Sequence, residues 1–220
     1  LFAGVSAAVY LFYGSIFNWG ILVKGGNDGI VHGGYPYEML AALIEGDWYR
    51  ALMSPEDVFY YMPGMRYIRF LEMLVFGDAY IFQICMLSFV SVILYRFYRC
   101  FLSSTAALIL VLTSINTYIT GMVAQFGEWL CYAFFFWALT LTLKKFKTIK
   151  AGFFAFVLFS LALTIRPNLL LFIGVLGLVH FFSNQFSSLS FGSRFVMMFG
   201  LSPVLLMPLH NLIGGQFVLA

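Results

Sequence analysis

The sequence has little charge. Charged residues make up 10% of the 220 residues, against about 25% in an ordinary globular domain. Hydrophobic residues account for 62% and aromatic residues for 20%, and the mean hydropathy is +0.95. So many apolar side chains cannot be hidden from water in a chain of this length. The composition excludes an ordinary water-soluble domain and predicts an integral membrane protein.

Cysteine is also scarce, and a basic patch is missing. An odd number of widely spaced cysteines, Cys85, Cys100 and Cys131, supports neither a disulfide framework nor a metal site. The net charge of +3 comes from basic residues at the ends of apolar runs. Because these residues form no continuous basic surface, nucleic acid is excluded as a partner.

An initiating methionine is absent too. The sequence begins at Leu1 and stops inside an apolar stretch, so we expect it to be a piece of a longer chain. It contains no internal repeat and no low-complexity tract. We therefore treat residues 1–220 as a single module.

Long uncharged intervals predict the architecture. A helix that crosses about 30 Å of hydrocarbon needs roughly 20 apolar residues. By this measure the chain is an all-α, polytopic transmembrane helical bundle of about seven spans. The predicted spans cover residues 1–23, 79–95, 103–121, 128–143, 151–165, 168–182 and 195–209.

Lysine and arginine predict the orientation of these spans. With the N-terminus in the cytoplasm, the loops rich in basic residues also lie on the cytoplasmic side. Residues 24–78 then form a long first outer loop, and Arg166 faces the same non-cytoplasmic side. This predicts a multi-pass integral membrane protein, in the plasma or inner membrane if bacterial, whose active face is non-cytoplasmic.

The acidic residues are concentrated in the first outer loop. Only Glu128 among the acids lies outside residues 24–78. Leu40, Leu43, Ile44, Trp48 and Leu52 recur in this loop at helical spacing, which predicts an amphipathic juxtamembrane helix. A second helix is predicted to open at Pro63 and to end at Gly77 as its C-terminal cap. Any chemistry is therefore expected in this loop.

Five short features run in order along the chain, each placed near the end of a predicted span or loop helix. They are Gly25-Gly26-Asn27-Asp28-Gly29, the stretch Phe59-Tyr60-Tyr61-Met62-Pro63-Gly64-Met65-Arg66-Tyr67, Phe76-Gly77-Asp78, Arg166-Pro167-Asn168, and His210-Asn211 followed by Gly214-Gly215-Gln216-Phe217-Val218.

In their order, side and spacing these features resemble the GT-C superfamily of membrane glycosyltransferases. The resemblance implies a module of seven spans that takes a sugar from a polyprenyl-phosphate or dolichyl-phosphate carrier. It also implies juxtamembrane helices in the first outer loop and a catalytic aspartate just after the first span, which is Asp28 here. The later, more variable region of the family is absent from this chain.

Asp28 is the predicted catalytic residue. Attack of an acceptor hydroxyl on a sugar C1 needs a carboxylate that takes the proton or binds a metal, and positive charge for the departing lipid phosphate. Glycines flank Asp28, so backbone and substrate can approach closely. The alternative is an Asn-Asp-Gly turn with a solvated side chain.

A divalent cation, Mg²⁺ or Mn²⁺, is a possible cofactor of this loop. Glu56 and Asp57 form a second acidic pair that, with Asp28, offers hard oxygen ligands. The alternative is that a Ser-Pro-Glu-Asp string starts a helix, with its acids facing the positive end of the dipole. His32, four residues after Asp28, is a further candidate for substrate binding, and its alternative is an exposed loop histidine.

Arg166 is the predicted phosphate-binding residue, since a guanidinium beside a helix break at Pro167 suits a lipid-borne phosphate. The alternative is an arginine that snorkels to the headgroups. Arg66 is a second phosphate candidate; its helix also carries Arg69 and Glu72, which fit a simple i, i+3 pair on a wet face. Asn211 completes the predicted substrate-binding set.

The predicted function is an inverting glycosyltransferase that moves a sugar from a lipid-linked donor to an acceptor on the non-cytoplasmic side, with membrane lipids around it. Two alternatives stay open. A transporter or flippase of a lipid-linked sugar shares the need for a phosphate site, and a non-enzymatic membrane scaffold also fits an acidic outer loop.

Overall fold

The computed structural model describes residues 1, 4–5, 8, 26–53, 64–77, 81–144, 148–166, 169–182 and 189–204. Within these ranges the regular elements are all helical, as the sequence predicts. The helices are α1 (Gly26–Ile44), α2 (Trp48–Met53), α3 (Gly64–Phe76), α4 (Ile81–Tyr98), α5 (Ser104–Leu143), α6 (Ile149–Ile165), α7 (Leu170–Phe182) and α8 (Phe191–Met198), and α8 continues into a 3₁₀ turn (Phe199–Leu201).

Hydroxyl caps begin three of these helices. The side-chain oxygens of Ser103, Thr148 and Ser190 each accept a hydrogen bond of 3.3 Å from the backbone N–H three residues later. Each cap satisfies one of the backbone donors that the first helical turn leaves without an intrahelical partner. These caps fix where α5, α6 and α8 start.

Helix α6 lies at the centre of the fold. It packs against α5, α8, the 3₁₀ turn and the start of α3. Its buried side chains form the core together with residues of α5, α7 and α8; this cluster contains Ala138, Ala155, Phe156, Leu158, Phe159, Leu163, Ile173 and Met197. The C-terminal end of α6 belongs to a second cluster with Leu130 and Cys131 of α5.

The predicted membrane topology is wrong. In the part of the chain that the structure describes, no helix has both the length and the apolar character needed to cross a bilayer. This finding overturns the bundle of seven spans, the multi-pass localisation and the sidedness derived from it. The predicted span 1–23 lies almost entirely outside the described residues.

The predicted spans are wrong for a physical reason. The predicted spans 151–165 and 168–182 match α6 and α7 closely, but an uncharged interval does not guarantee a helix long enough to cross a bilayer, because caps and breaks set the helix ends. The predicted spans 103–121 and 128–143 are one continuous helix, α5, and its sequence carries several polar residues between Thr113 and Glu128. Helix α6 has 17 residues and α7 has 13, so they reach only about 26 Å and about 20 Å.

Residues 24–78 also differ from prediction. Asp28 lies in helix α1 rather than in a glycine turn, because α1 runs from Gly26 through Pro36 to Ile44. The predicted amphipathic helix is broken at Gly46, whose φ of 82° places it in the left-handed region. The predicted cap is confirmed: Gly77 has a φ of 64° and its N–H donates to the Met73 carbonyl at 3.0 Å.

Candidate functional site

Arg66 of α3 is a buried charge. Its side chain is 1% exposed, the lowest exposure of any charged residue that the structure describes. The three guanidinium nitrogens Nε, Nη1 and Nη2 are all buried, and none has a hydrogen-bond partner among the described residues. The predicted phosphate candidate therefore does not lie on a wet face. Buried guanidinium groups without partners are rare, since leaving water costs several kcal/mol per ion.

Two tyrosines surround Arg66. Burial lowers the pKa of Arg66, while the neighbouring phenols of Tyr67 and Tyr35 act in the opposite direction. Burial raises the pKa of Tyr67, and the Arg66 charge opposes this rise. The Tyr67 hydroxyl donates to the Leu52 carbonyl at 2.5 Å, which ties α3 to α2. Among the described residues, the two phenols are thus the titratable groups that act on the guanidinium.

Tyr35 brings helix α1 into the site. Helix α1 packs along α3, and Met39 and Ala42, which follow Tyr35 at i+4 and i+7, are both buried. Asp28 and His32 precede Tyr35 by seven and three residues in the same helix. Helical periodicity therefore places these two register positions on the side of α1 that carries Tyr35. The predicted catalytic carboxylate and the buried arginine belong to two helices that pack together.

Arg166 lies at a different side of α3. It is the C-cap of α6, and its N–H donates to the Ala162 carbonyl at 2.9 Å. Gly64, the first residue of α3, lies so close to α6 that an added Cβ would be 2.6 Å from Thr164 Oγ1 and 2.8 Å from the Thr164 carbonyl oxygen. Arg66 follows Gly64 by two residues, about 200° around the helix. The two arginines thus flank one helix–helix contact.

The Arg69–Glu72 pair has the predicted structural role. Arg69 Nη1 and Glu72 Oε2 form an ion pair within α3. The exposed fraction of the Glu72 side chain is 4%, so the pair is largely shielded from water rather than on a wet face. A buried ion pair of this kind supports the helix and needs no ligand to explain it.

Several predicted site residues lie outside what the structure describes. Glu56, Asp57 and Asn211 fall in ranges that are not described, as do the side chains of Asp28 and His32. Among the described side chains, His, Cys, Asp and Glu form no group of three or more that would hold a metal ion. A divalent cation at Asp28, Glu56 and Asp57 therefore stays a prediction.

Two features of the site were not predicted from the sequence: the position of Tyr35 beside Arg66 and the contact of Gly64 with Thr164. Asp28, His32 and Tyr35 have the i, i+4, i+7 spacing of one helical face, and this spacing is the sequence signal that places Tyr35 in the site. Four glycines and Pro36 within α1 obscure this signal, because both residue types are poor helix formers. A contact between residues 100 positions apart in the sequence leaves no local signal.

Comparison with family models, with curated proteins and with solved structures finds no match for this chain.

Proposed function

We propose that the chain is a glycosyltransferase that takes its sugar from a polyprenyl-phosphate-linked donor. One observation supports this above the others: the helix that carries Asp28 packs on the helix in which Arg66 is buried without a hydrogen-bond partner among the described residues. A carboxylate and a guanidinium on adjoining helices provide the two charges that displacement of a phosphate from a sugar C1 requires.

In this reaction Asp28 accepts the proton of the acceptor hydroxyl. The acceptor oxygen forms a bond to C1 of the sugar, and the bond between C1 and the phosphate oxygen breaks. The electron pair of that bond leaves with the lipid phosphate. Arg66 stabilises the negative charge that develops on the departing phosphate, an effect that is larger in a site with few water molecules than in bulk solvent. Attack opposite to the leaving group inverts the configuration at C1.

Arg166 is assigned an auxiliary role at the neighbouring end of α6. Its positive charge lies two residues beyond Thr164, which contacts the first residue of α3. A cation there attracts a phosphate-bearing donor toward α3. If a divalent cation takes part, Asp28, Glu56 and Asp57 would bind it and it would neutralise charge on the phosphate.

The test is a transfer assay with the purified chain, a polyprenyl-phosphate donor with a labelled sugar, and a panel of acceptors. We expect release of the lipid phosphate together with a labelled glycoside. D28N should lower the rate by about 10² or more, because a general base contributes roughly 10²–10⁴ to the rate. Asn keeps the size of the side chain but does not accept the proton.

D47N is the matched control for D28N. Asp47 is exposed, and its Oδ1 accepts a hydrogen bond from the Arg50 N–H at 3.0 Å. Asn accepts the same bond, so D47N should keep the wild-type rate. Full activity of D28N would refute the assigned mechanism. Tight donor binding with no released phosphate would instead indicate a binding protein.

A further inference from the structure

Helix α7 is buried on one side and exposed on the other. On the buried side, Ile173 belongs to the core cluster, and a Cβ added at Gly177 would be 3.9 Å from the Phe156 ring of α6. Leu171 and Val175 each lie two residues from Ile173, about 200° around the helix. Four side chains form a stripe on this outer side and are between 52% and 75% exposed: Leu171, Val175, Leu178 and Phe182.

Three phenylalanines beyond α7 continue this stripe. Phe191 and Phe195 of α8 and Phe199 of the 3₁₀ turn recur every four residues, so they are neighbours one turn apart, and all three are exposed. The Phe191 ring centre lies 4.4 Å from that of Phe181, which lies 5.2 Å from that of Phe182. The stripe and these three phenylalanines therefore form one continuous apolar surface, called the α7–α8 face below.

The α7–α8 face is large for a surface that stays in water. A fully exposed phenylalanine offers about 200 Å², so the seven side chains of the face together expose on the order of 800 Å². Monomeric proteins rarely expose a contiguous apolar patch of more than a few hundred Å². A stable protein–protein interface buries about 800 Å² on each partner. The face is therefore about as large as one side of a standard interface.

The segment that carries the face has no charge with which to recognise a charged partner. Between Arg166 and Arg194 the sequence contains no Asp, Glu, Lys or Arg. Arg194 itself is buried, and its guanidinium donates to the backbone carbonyls of Leu189 and Phe181. An uncharged apolar surface is complementary to an identical copy of itself, which is the condition for an interface with two-fold symmetry.

The spacing of the stripe fits a helix as the partner. Its four residues follow one another at intervals of four, three and four, which is the spacing of the a and d positions in helices that pack against each other. A helix that lies on a lipid surface instead carries lysine and arginine on its opposite side. The opposite side of α7 packs in the core and carries neither residue.

We propose that the chain forms a two-fold dimer with a second copy of itself through the α7–α8 face. Helix α7 of each copy packs against α7 of the other, and the phenylalanines of α8 extend the contact on both sides. The dimer goes beyond the proposed glycosyl transfer, since the candidate site lies on α1 and α3 and neither helix belongs to this face.

The experiment measures the mass of the purified chain in detergent-free buffer by sedimentation equilibrium over a series of concentrations. We expect a species of twice the 24.9 kDa of the single chain, in equilibrium with the monomer. Because the face carries no charge, the dimer should not weaken when the salt concentration rises from about 0.1 M to about 1 M. Dissociation by salt would assign the contact to charged groups elsewhere, and masses beyond two copies would show an open association; either result would overturn the proposal.

L178E places a charge in the middle of the stripe on both copies. Its dimer should have a Kd higher by about a hundredfold or more, because the carboxylate would have to leave water without a partner. L71E is the matched control, since Leu71 of α3 is 57% exposed and Leu178 is 58% exposed. L71E should keep the wild-type Kd. Equal weakening by the two variants would show that any exposed apolar side chain supports the association, which would contradict the α7–α8 face.

Lipid is the competing occupant, and flotation with phosphatidylcholine vesicles tests for it. The dimer should not float with the vesicles. A wild-type chain that is monomeric in buffer would overturn the proposal, and its flotation would then show that lipid covers the face. Should L178E not fold, L178A retains a good helix former and should raise the dimer Kd by about tenfold; an unchanged Kd would sink the proposal.

Discussion

At the scale of single residues, position 66 shows that burial decides which role an arginine has. Arg66, Arg69 and Glu72 recur at three-residue intervals, and from the sequence all three belong to one polar face. In the structure two of them neutralise each other, while the guanidinium of Arg66 is buried without a hydrogen-bond partner among the described residues. The same spacing therefore yields an ion pair and a candidate anion site.

Tyr67 adds a dependence on pH at the same site. Since burial raises the pKa of Tyr67, the folded chain keeps the phenolic proton at a pH at which the unfolded chain loses it. Between the ordinary value of about 10 and the raised value, the unfolded state binds fewer protons. The contribution of Tyr67 to the free energy of unfolding is therefore complete below pH 10 and falls as the pH rises through the folded-state pKa.

Y67F tests both the hydrogen bond of Tyr67 and the direction of its pKa shift. At pH 7 the variant should be less stable by about 0.5–1.5 kcal/mol, because it loses the hydrogen bond to the Leu52 carbonyl. Above pH 10 the difference in the free energy of unfolding between the two chains should narrow. The wild-type chain loses the contribution of Tyr67 there, whereas Phe does not ionise and the variant keeps its stability. Urea unfolding of both chains from pH 7 to pH 11 measures the difference. A difference that stays constant over this range would contradict the assigned direction of the pKa shift.

At the scale of helices, close contacts fix where α3 and α8 lie against α6. Gly64 contacts Thr164 near the end of α6, whereas an added Cβ on Gly152 near its start would be 1.9 Å from Met197 Sδ of α8. The first of these contacts involves backbone atoms of α6, which cannot rotate away as a flexible side chain does. Helix α3 consequently has little freedom to shift on α6.

G64A is expected to lower the free energy of unfolding by about 1–3 kcal/mol, the usual effect of forcing an extra carbon into a packed contact. Urea unfolding is again the measurement. G34A is the matched control: Gly34 also lies in a helix, but nothing lies within 4 Å of a Cβ added there. Because Ala is the better helix former, G34A should stabilise the chain by about 0.5–1 kcal/mol. Equal effects of the two variants would argue against close packing at Gly64.

Helix content was predictable from the sequence, and helix arrangement was not. The cap at Gly77 and the pairing of Arg69 with Glu72 follow from local patterns, and both are confirmed. The helical state of Asp28 was missed because glycine and proline argue against a helix, and packing of α1 on α3 outweighs that local preference. The spans were predicted from apolar runs and their orientation from lysine and arginine, and neither pattern shows whether an apolar run forms a helix long enough to cross a bilayer.

At the scale of the whole molecule, the candidate site lies at the margin of the fold. The core is formed by α6 with parts of α5, α7 and α8. Helices α1 and α3 pack on each other. Helix α3 reaches α6 through the contact of Gly64 with Thr164 and through Ile68, and α1 also packs on α5. A site between two helices outside the main core can open for a ligand without disrupting the core, because local openings cost less where fewer apolar contacts are broken.

This arrangement predicts a gradient of local stability that hydrogen exchange measures. Backbone amides of α6 should exchange most slowly, since nine of its residues, from Gly152 to Ile165, are buried. Amides of α2 should exchange fastest among the helices, because this helix has six residues and buries only Ala51. The lipid-linked donor should slow exchange in α1 and α3 more than in α6, since Arg66 lies in α3 and α1 packs on that helix. Slowing spread evenly over all helices would show that the ligand stabilises the chain as a whole, and would contradict an opening confined to α1 and α3.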